Sequence, residues 1–389
     1  VISDPTLLVR RANERLVMMR EGKEVAAVPI ADVSHVAVHG PVTLTGAALA
    51  GLLDEGIELT LYSSAGFYRG SVTSSRAKNV YLMLAQVDAW RRDERRLALA
   101  KSLLAGKIAG QRAMLQRHAL SRASERCREA ADRLRRFERD IAEEGDVDAV
   151  RGVEGSAAAQ YFGAFGEMLA EGWTWEGRRH HPATDPVNAL LSFGYTLLTG
   201  EMVRLLTLGG FDTRVGFIHG LRYGRDSLAL DLVEEFRAPL VDRFVLRVIN
   251  LRQFAPSDFD EHAGGAVKLN NPSRRRFLEL WEETLNGRAP ALRNEVRDEA
   301  HAGRAPMRIA RDAEDVSAED PDEDAPRWRR RMELQVDRLR SFLMKGEDYV
   351  PLTRTQRAGA RRGGGGGGEG GGGKGGGGEG GGEDAPWDP

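Results

Sequence analysis

The sequence predicts an α+β protein: a small N-terminal β-sheet domain with one helix, followed by a larger all-α domain. Three observations carry this. Short, β-branched, apolar segments separated by turn residues fill roughly the first 75 positions. After Ser75 the apolar residues recur at helical spacing instead. A short polar segment, SSRAKN, separates the two regimes. At 389 residues the chain is long enough for two domains and a substantial core.

In order, LLVRR, RLVMMR, EVAAVPI and SHVAVHG read as strands, with Asn13, Gly22 and Asp32 among the turn residues between them. Thr45 then suits a helix N-cap, AALAGLLDE carries an apolar face, and Gly56 suits a left-handed stop. IELTLYS and FYRGSVT follow as two more strands. Residues 1–75 are the β domain and residues 76–80 a hinge. Residues 81–353 are the α domain: Val80 to Phe137 shows helical periodicity, as do 157–169, 189–206, 227–250, 274–286 and 327–344. The acidic, Pro-containing stretch at about 312–326 reads as an exposed loop. Residues 354–389 form a Gly-rich tail, with seventeen glycines in the twenty positions from Gly363 to Gly382, and cannot pack a core.

The formal net charge of -2 hides a local asymmetry. From Arg91 to Asp140 there are fifteen Lys or Arg against seven Asp or Glu. Arg91, Arg92, Arg95, Arg96, Lys101, Lys107, Arg112 and Arg117 recur along expected helices and offer phosphate contacts, with solvated arginine as the plainer alternative. The single cysteine, Cys127, forms no intrachain disulfide and fits a reducing, cytoplasmic compartment. No signal peptide and no bilayer-length apolar run is found. The first residue is Val, compatible with an alternative start codon, a processed terminus or removal of an upstream domain. The chain carries no CxxC, HExxH, GxxxxGK[ST] or GxSxG, which removes support for zinc fingers, P-loop hydrolysis and serine hydrolysis.

Three segments carry chemistry. Glu154 lies in RGVEGSAAAQYF, where it reads either as an ordinary first-turn Glu or as a metal ligand at the start of a packed helix. His219 lies in VGFIHG and is either a satisfied core histidine or a neutral imidazole acting as ligand or base. Asp231 and Glu234 are three apart in SLALDLVEEFR and share about one helix face. The plainer alternative there is a solvated, salt-bridged surface. Because SLALDLV is apolar, a carboxylate at Asp231 needs a partner, with Arg225 and Arg237 as candidates. Two carboxylates and one imidazole make a set that can hold a divalent ion against a phosphate. Gln160 and Tyr161, after Glu154, are placed to position a phosphate or sugar. His180 and His181 lie in an expected loop and match no metal-ligand spacing, and His35 and His39 flank a short strand and read as structural.

The order and wording of these segments resemble CRISPR-associated protein 1, the metal-dependent integrase family of spacer acquisition. The resemblance runs from about Leu7 to Leu352. VEGSAAAQYF is similar to the motif of the family's first catalytic glutamate, which falls on Glu154. DPVNALLSFGYTLL resembles its central helix, GFIHG the segment of its metal-binding histidine (His219), and GRDSLALDLVEEFR the segment ending in its third acidic ligand (Glu234). KGEDYVPL resembles its closing segment. The resemblance implies an N-terminal β domain that dimerises and an α domain holding Glu154, His219 and Glu234 as catalytic residues and as ligands of Mg²⁺ or Mn²⁺. Asp231 is then the accompanying acidic residue, and Arg91, Arg95, Arg112, Tyr161, Arg222 and Arg225 are the DNA-binding candidates. The implied partners are a protospacer duplex, a leader–repeat target, CRISPR-associated protein 2 flanked by two homodimers, and an exonuclease of the protospacer-processing type; no membrane is implied. The implied activity is insertion of protospacer DNA by 3′-hydroxyl transesterification. A transposon-type integrase of the same fold and a catalytically idle DNA-binding scaffold are the other readings.

Overall fold

The computed structural model describes residues 1–73, 79–179, 182–288 and 327–352. The acidic loop, the Gly-rich tail, most of the hinge, His180 and His181 lie outside them. The N-terminal strands form two sheets where one was expected. In the first, β1 (Leu8–Ala12), β2 (Arg15–Arg20) and β3 (Lys23–Pro29) make an antiparallel meander, and β5 (Thr43–Leu44) adds parallel to β1. In the second, β4 (His35–His39) pairs parallel with β6 (Glu58–Tyr62), which pairs antiparallel with β7 (Tyr68–Val72).

A parallel pair cannot be closed by a tight turn, and the connection between β4 and β6 contains α1 (Gly46–Asp54). The Thr45 hydroxyl accepts from the Ala48 amide at 3.2 Å, and Gly56 stops the helix at φ 68°. Val9, Leu16, Val36, Val38, Leu52 and Leu59 form a separate small core beneath these elements.

The run from Val80 to Phe137 is divided into α2 (Val80–Arg91), α3 (Asp93–Ser121) and α4 (Glu125–Glu143). Arg92 is extended between α2 and α3, and Ser124 caps α4. The helix α5 spans Val147–Phe165 and is capped by Asp146. It therefore starts about ten residues before the expected 157, and Glu154 sits within it rather than at its first turn. Asp185 caps α6 (Pro186–Leu208), with proline in the first turn where a missing N–H costs nothing.

The expected single helix over 227–250 is α7 (Ser227–Phe236), a π-helical turn (Arg237–Asp242) and α8 (Arg243–Asn250). Pro239 supplies the physical reason, since it removes one donor from the helical ladder and forces the turn to widen. A hairpin absent from the sequence reading, β8 (Phe259–His262) and β9 (Ala266–Leu269), precedes α9 (Asn271–Leu285). The helix α10 (Trp328–Lys345) closes the helical core.

The β region is fastened to α6. Arg204 donates from its two terminal nitrogens to Glu58 of β6 at 2.7 Å and to Glu201 at 2.8 Å, and all three side chains are buried. Arg329 of α10 adds a contact to Glu201 at 3.1 Å and one to Glu282 of α9 at 2.7 Å. The close approach needs small residues: a Cβ at Gly200 would meet the Tyr62 ring at 2.8 Å. His39 stacks on Tyr62 with centroids 4.6 Å apart, and His35 bonds the Thr60 hydroxyl at 2.9 Å, so both histidines serve packing.

A candidate metal-binding carboxylate site

The site forms where α3, α5 and α7 pack together. Gly106 and Gly110 on α3 allow the approach: a Cβ at Gly106 would meet Pro351 at 2.8 Å, and one at Gly110 would meet Pro239 at 3.3 Å. Lys107, between these glycines, is thereby carried into the interior and is only 8% exposed.

Its ammonium donates to Glu154 Oε1 of α5 and lies 2.6 Å from Glu234 Oε2 of α7. The second contact is ionic without hydrogen-bond geometry, and Glu234 Oε2 has no other hydrogen-bond partner among the described residues. Arg237, one turn after Glu234, reaches its Oε1 at 3.3 Å and stacks over the Tyr195 ring at 4.9 Å. Two carboxylates thus face two cations in a largely dry environment.

Burial alone would push the Glu234 carboxyl upward, but Arg237 and Lys107 outweigh it and hold its pKa down to about 2. Burial likewise opposes charge on Lys107, while Glu234 and Glu154 raise its pKa and keep the ammonium protonated.

His219 lies in the loop before α7, and Asp231 fixes that loop. Fully buried, Asp231 accepts from the amides of Phe217, Ile218 at 3.0 Å and His219 at 2.9 Å. It also lies 2.7 Å from His219 Nδ1. A carboxylate is an acceptor only, so Nδ1 carries the proton, and Nε2 is the ring nitrogen that Asp231 does not engage. The arginines considered for Asp231 are engaged elsewhere: Arg225 with Gly220 and Ser227, Arg237 with Glu234. With both oxygens used, Asp231 fixes the orientation of the histidine ring.

The expectation for Asp231→Asn follows directly. In one amide orientation the NH₂ group faces the Phe217 and Ile218 amides and in the other it faces the His219 amide, stranding buried N–H groups at a cost of about 2–4 kcal/mol. Urea unfolding should read that loss. An unaltered unfolding midpoint would mean that Asp231 does not hold the loop.

The structure brings Glu154 and Glu234 onto one point, and His219 stands on the loop before α7 that Asp231 fixes. Among the described residues, no three His, Cys, Asp or Glu side chains already stand as a closed ligand set. The donor chemistry nevertheless fits a hard divalent ion. Glu234 Oε2 is a buried oxygen satisfied only by an ammonium, Glu154 Oε1 faces the same ammonium, and Nε2 is the ring nitrogen left to coordinate.

Several expected surface residues are not on the surface. Tyr161 is fully buried and donates to Asp242 at 2.9 Å, so it does not touch DNA from this position. Burial raises the Asp242 carboxyl to about 6 despite the hydroxyls of Tyr195 and Tyr161. Arg95 is bonded to the Phe342 carbonyl and stacked on its ring, and Arg112 is paired with Glu138 at 2.7 Å. Lys107 serves the carboxylates instead of tracking DNA.

Glu235, next to Glu234, is buried and accepts from Tyr349, Gln335 and the Leu352 amide. It thereby ties the chain's YVPL segment to α7. Arg91 and Arg222 are exposed, and Arg225 is half-buried. Leu221 and Tyr223, beside Arg222, are exposed as well and were missed in the sequence reading. An aromatic one step from Arg222 in LRYGR is the signal that could have found Tyr223.

Fold and site define a class: a small N-terminal β region followed by a mostly helical region, which holds one β-hairpin and buries a carboxylate cluster where α3, α5 and α7 meet. The family described as "CRISPR associated protein Cas1" matches residues 1–283, and the chain belongs to it. It is 37% identical over 286 residues to "CRISPR-associated endonuclease Cas1 2" of Rhodospirillum rubrum, spanning 71% of this chain and 82% of that protein. It is 33% identical over 288 residues to a "CRISPR-associated exonuclease Cas4/endonuclease Cas1 fusion" of the same organism, spanning 72% of this chain and 49% of the fusion.

Among solved structures, a "Casposase bound to integration product" superposes with a TM-score of 0.69 at 19% identity, covering 91% of this chain and 92% of that one. A chain of a "Cas6-RT-Cas1--Cas2 complex" superposes with 0.66 at 22% identity, covering 90% and 35%. These two likenesses establish the shared fold. Among the described residues, no helix is long and apolar enough to cross a membrane.

Proposed function

We propose that the protein is a metal-dependent DNA integrase that inserts protospacer DNA into a CRISPR array, working in the cytoplasm. The observation that carries this is the convergence of Glu154 and Glu234 on one buried cation position in a chain of the Cas1 family. Glu154, His219 through Nε2, and Glu234 would hold Mg²⁺ or Mn²⁺. When bound, such an ion polarises the target phosphodiester and stabilises charge on the leaving 3′-oxygen.

The chain's own residues do the rest. Asp231 keeps His219 in one tautomer and one orientation. Arg237 holds Glu234 ionised and aimed into the cluster. The packing of α3 against α5 and α7 limits water to the Glu154 side, where the carboxylate is 22% exposed. The partners proposed are a protospacer duplex, a leader–repeat target, CRISPR-associated protein 2 between two homodimers formed through the β domain, and a protospacer-processing exonuclease. The Cas1–Cas2 assembly and the Cas4/Cas1 fusion among the relatives support the last two kinds of partner.

The test incubates the protein with CRISPR-associated protein 2, Mn²⁺, a labelled 3′-hydroxyl duplex and a plasmid bearing leader and repeat. Strand transfer that is lost in His219→Ala and abolished by EDTA is the expected result. Undiminished transfer in His219→Ala would defeat the assignment. Equal transfer into a plasmid without the repeat would favour a transposon-type integrase.

Arg222 and Tyr223 stand exposed on the loop that also positions His219, where we place contact with the DNA backbone. Arg222→Ala should weaken binding to all sequences alike and lower the slope of log K against log salt by about one phosphate's worth. A sequence-selective loss with an unchanged salt slope would assign it to base reading instead.

A further inference from the structure

Lys107 stands where a cation is wanted. Its ammonium contacts carboxylate oxygens from two different helices, with the stem buried between Gly106 and Gly110. We propose that Lys107 is a resident counter-cation in the divalent-ion position, so that an ion loads by displacing the Lys107 ammonium. This rests on the metal-site reading above and adds a competitor to it.

Charge balance carries the argument. Glu154, Glu234 and the buried Asp231 behind His219 carry three negative charges against the two positive charges of Lys107 and Arg237. A divalent ion added beside both cations would leave an uncompensated positive charge in a desolvated site, which is costly. If the ammonium leaves as the ion enters, the charges balance.

The geometry permits the exchange. Lysine is a point charge on a flexible four-carbon stem, and the Glu154 side of the cluster opens toward solvent. Arg237 has no such freedom, because its guanidinium is stacked on Tyr195 and bonded to Glu234. Displacement also accounts for the ligand arrangement. With Lys107 in place both carboxylates are ion-paired, and no closed three-donor set forms among the described residues.

The experiment measures Mn²⁺ binding to the full-length wild type and to Lys107→Met by calorimetry and by the electron paramagnetic resonance of bound Mn²⁺. The substitution keeps the stem's bulk and removes the charge. Expected are a Kd for Mn²⁺ at least ten-fold tighter in the variant, and a thermal midpoint in EDTA that falls below wild type and recovers with Mn²⁺.

In the wild type, acetylation of Lys107 by an N-hydroxysuccinimide ester, read by mass spectrometry, should rise several-fold on adding Mn²⁺. Lys268, exposed on β9, serves as the unchanged reference. Unchanged Mn²⁺ affinity in a folded Lys107→Met, or unchanged labelling of Lys107 in a wild type that binds Mn²⁺, overturns the displacement. Should the variant not fold, the wild-type labelling decides alone. Absence of Mn²⁺ binding by both proteins overturns the metal reading itself, a result distinct from equal binding by both.

Discussion

Glu234→Gln should lower strand transfer by about a thousandfold or more while DNA binding stays within a few-fold of wild type. Electrostatic stabilisation by a bound ion is worth several kcal/mol in such a reaction, and each ~1.4 kcal/mol is a factor of ten in rate. Glutamine keeps the volume of the side chain but removes a charge that Arg237 and Lys107 both face.

The same change leaves the buried Lys107 and the half-buried Arg237 without their shared partner, so a thermal midpoint must be measured beside the activity. Glu154→Gln is the cleaner companion. Its carboxylate is partly exposed, contacts Lys107 and carries no contact from Arg237. The two variants should lose transfer alike while differing in stability, Glu234→Gln being the less stable. Retained transfer in Glu154→Gln would remove that residue from the site.

The elements that the sequence made legible are those with strong local signals. Thr45 before AALAGLLDE and Gly56 after it mark a helix that forms with that cap and that stop. The strand from 57 to 63 is visible because Ile57, Leu59 and Leu61 alternate along it. The division of 80–137 into three helices was not visible, because Arg92 and Ala123 break the helix by backbone conformation and neither is a customary breaker.

The start of α5 was missed because Asp146 lies among other acidic residues in AEEGDVDAV, where one cap among many carboxylates gives no contrast. At the site, residue type and spacing drew attention to Glu154, His219, Asp231 and Glu234. What each one touches depended on contacts distant in sequence. Lys107 read as one cation in a basic surface because the glycines that pull its helix inward act through the closing segment and the π-helical turn, both distant in sequence. Tyr161 read as a ligand-facing tyrosine for a parallel reason. Its partner, Asp242, is 81 residues away, and no local period reports it.

The domain junction offers the largest stability effect. Arg204→Met is expected to cost about 3–5 kcal/mol, the usual consequence of removing one partner from a buried ion cluster. Glu58 would keep only the Thr60 hydroxyl at 3.3 Å, whereas Glu201 would retain Arg329. The loss should therefore be partly recovered by adding Glu58→Gln to the variant, which removes the stranded charge. Non-additivity in that double-mutant cycle measures the Arg204–Glu58 coupling.

The pH dependence gives a second readout. Burial raises the Glu201 carboxyl, but Arg204 and then Arg329 outweigh it and hold its pKa down to about 2, against 4.5 for an ordinary glutamate. A carboxyl with a depressed folded value contributes stability fully present above about 4.5 and lost as pH falls toward 2. Wild type should lose stability across that window, and Arg204→Met should lose less, because its Glu201 has lost the larger of its two cations. Denaturant titration followed by the fluorescence of Trp281 and Trp328, both buried, reads both effects. An unchanged acid slope in Arg204→Met would place the source of the acid sensitivity elsewhere in the chain, and a cost below about 1 kcal/mol would put the junction in the weak, solvent-screened class of ion pairs.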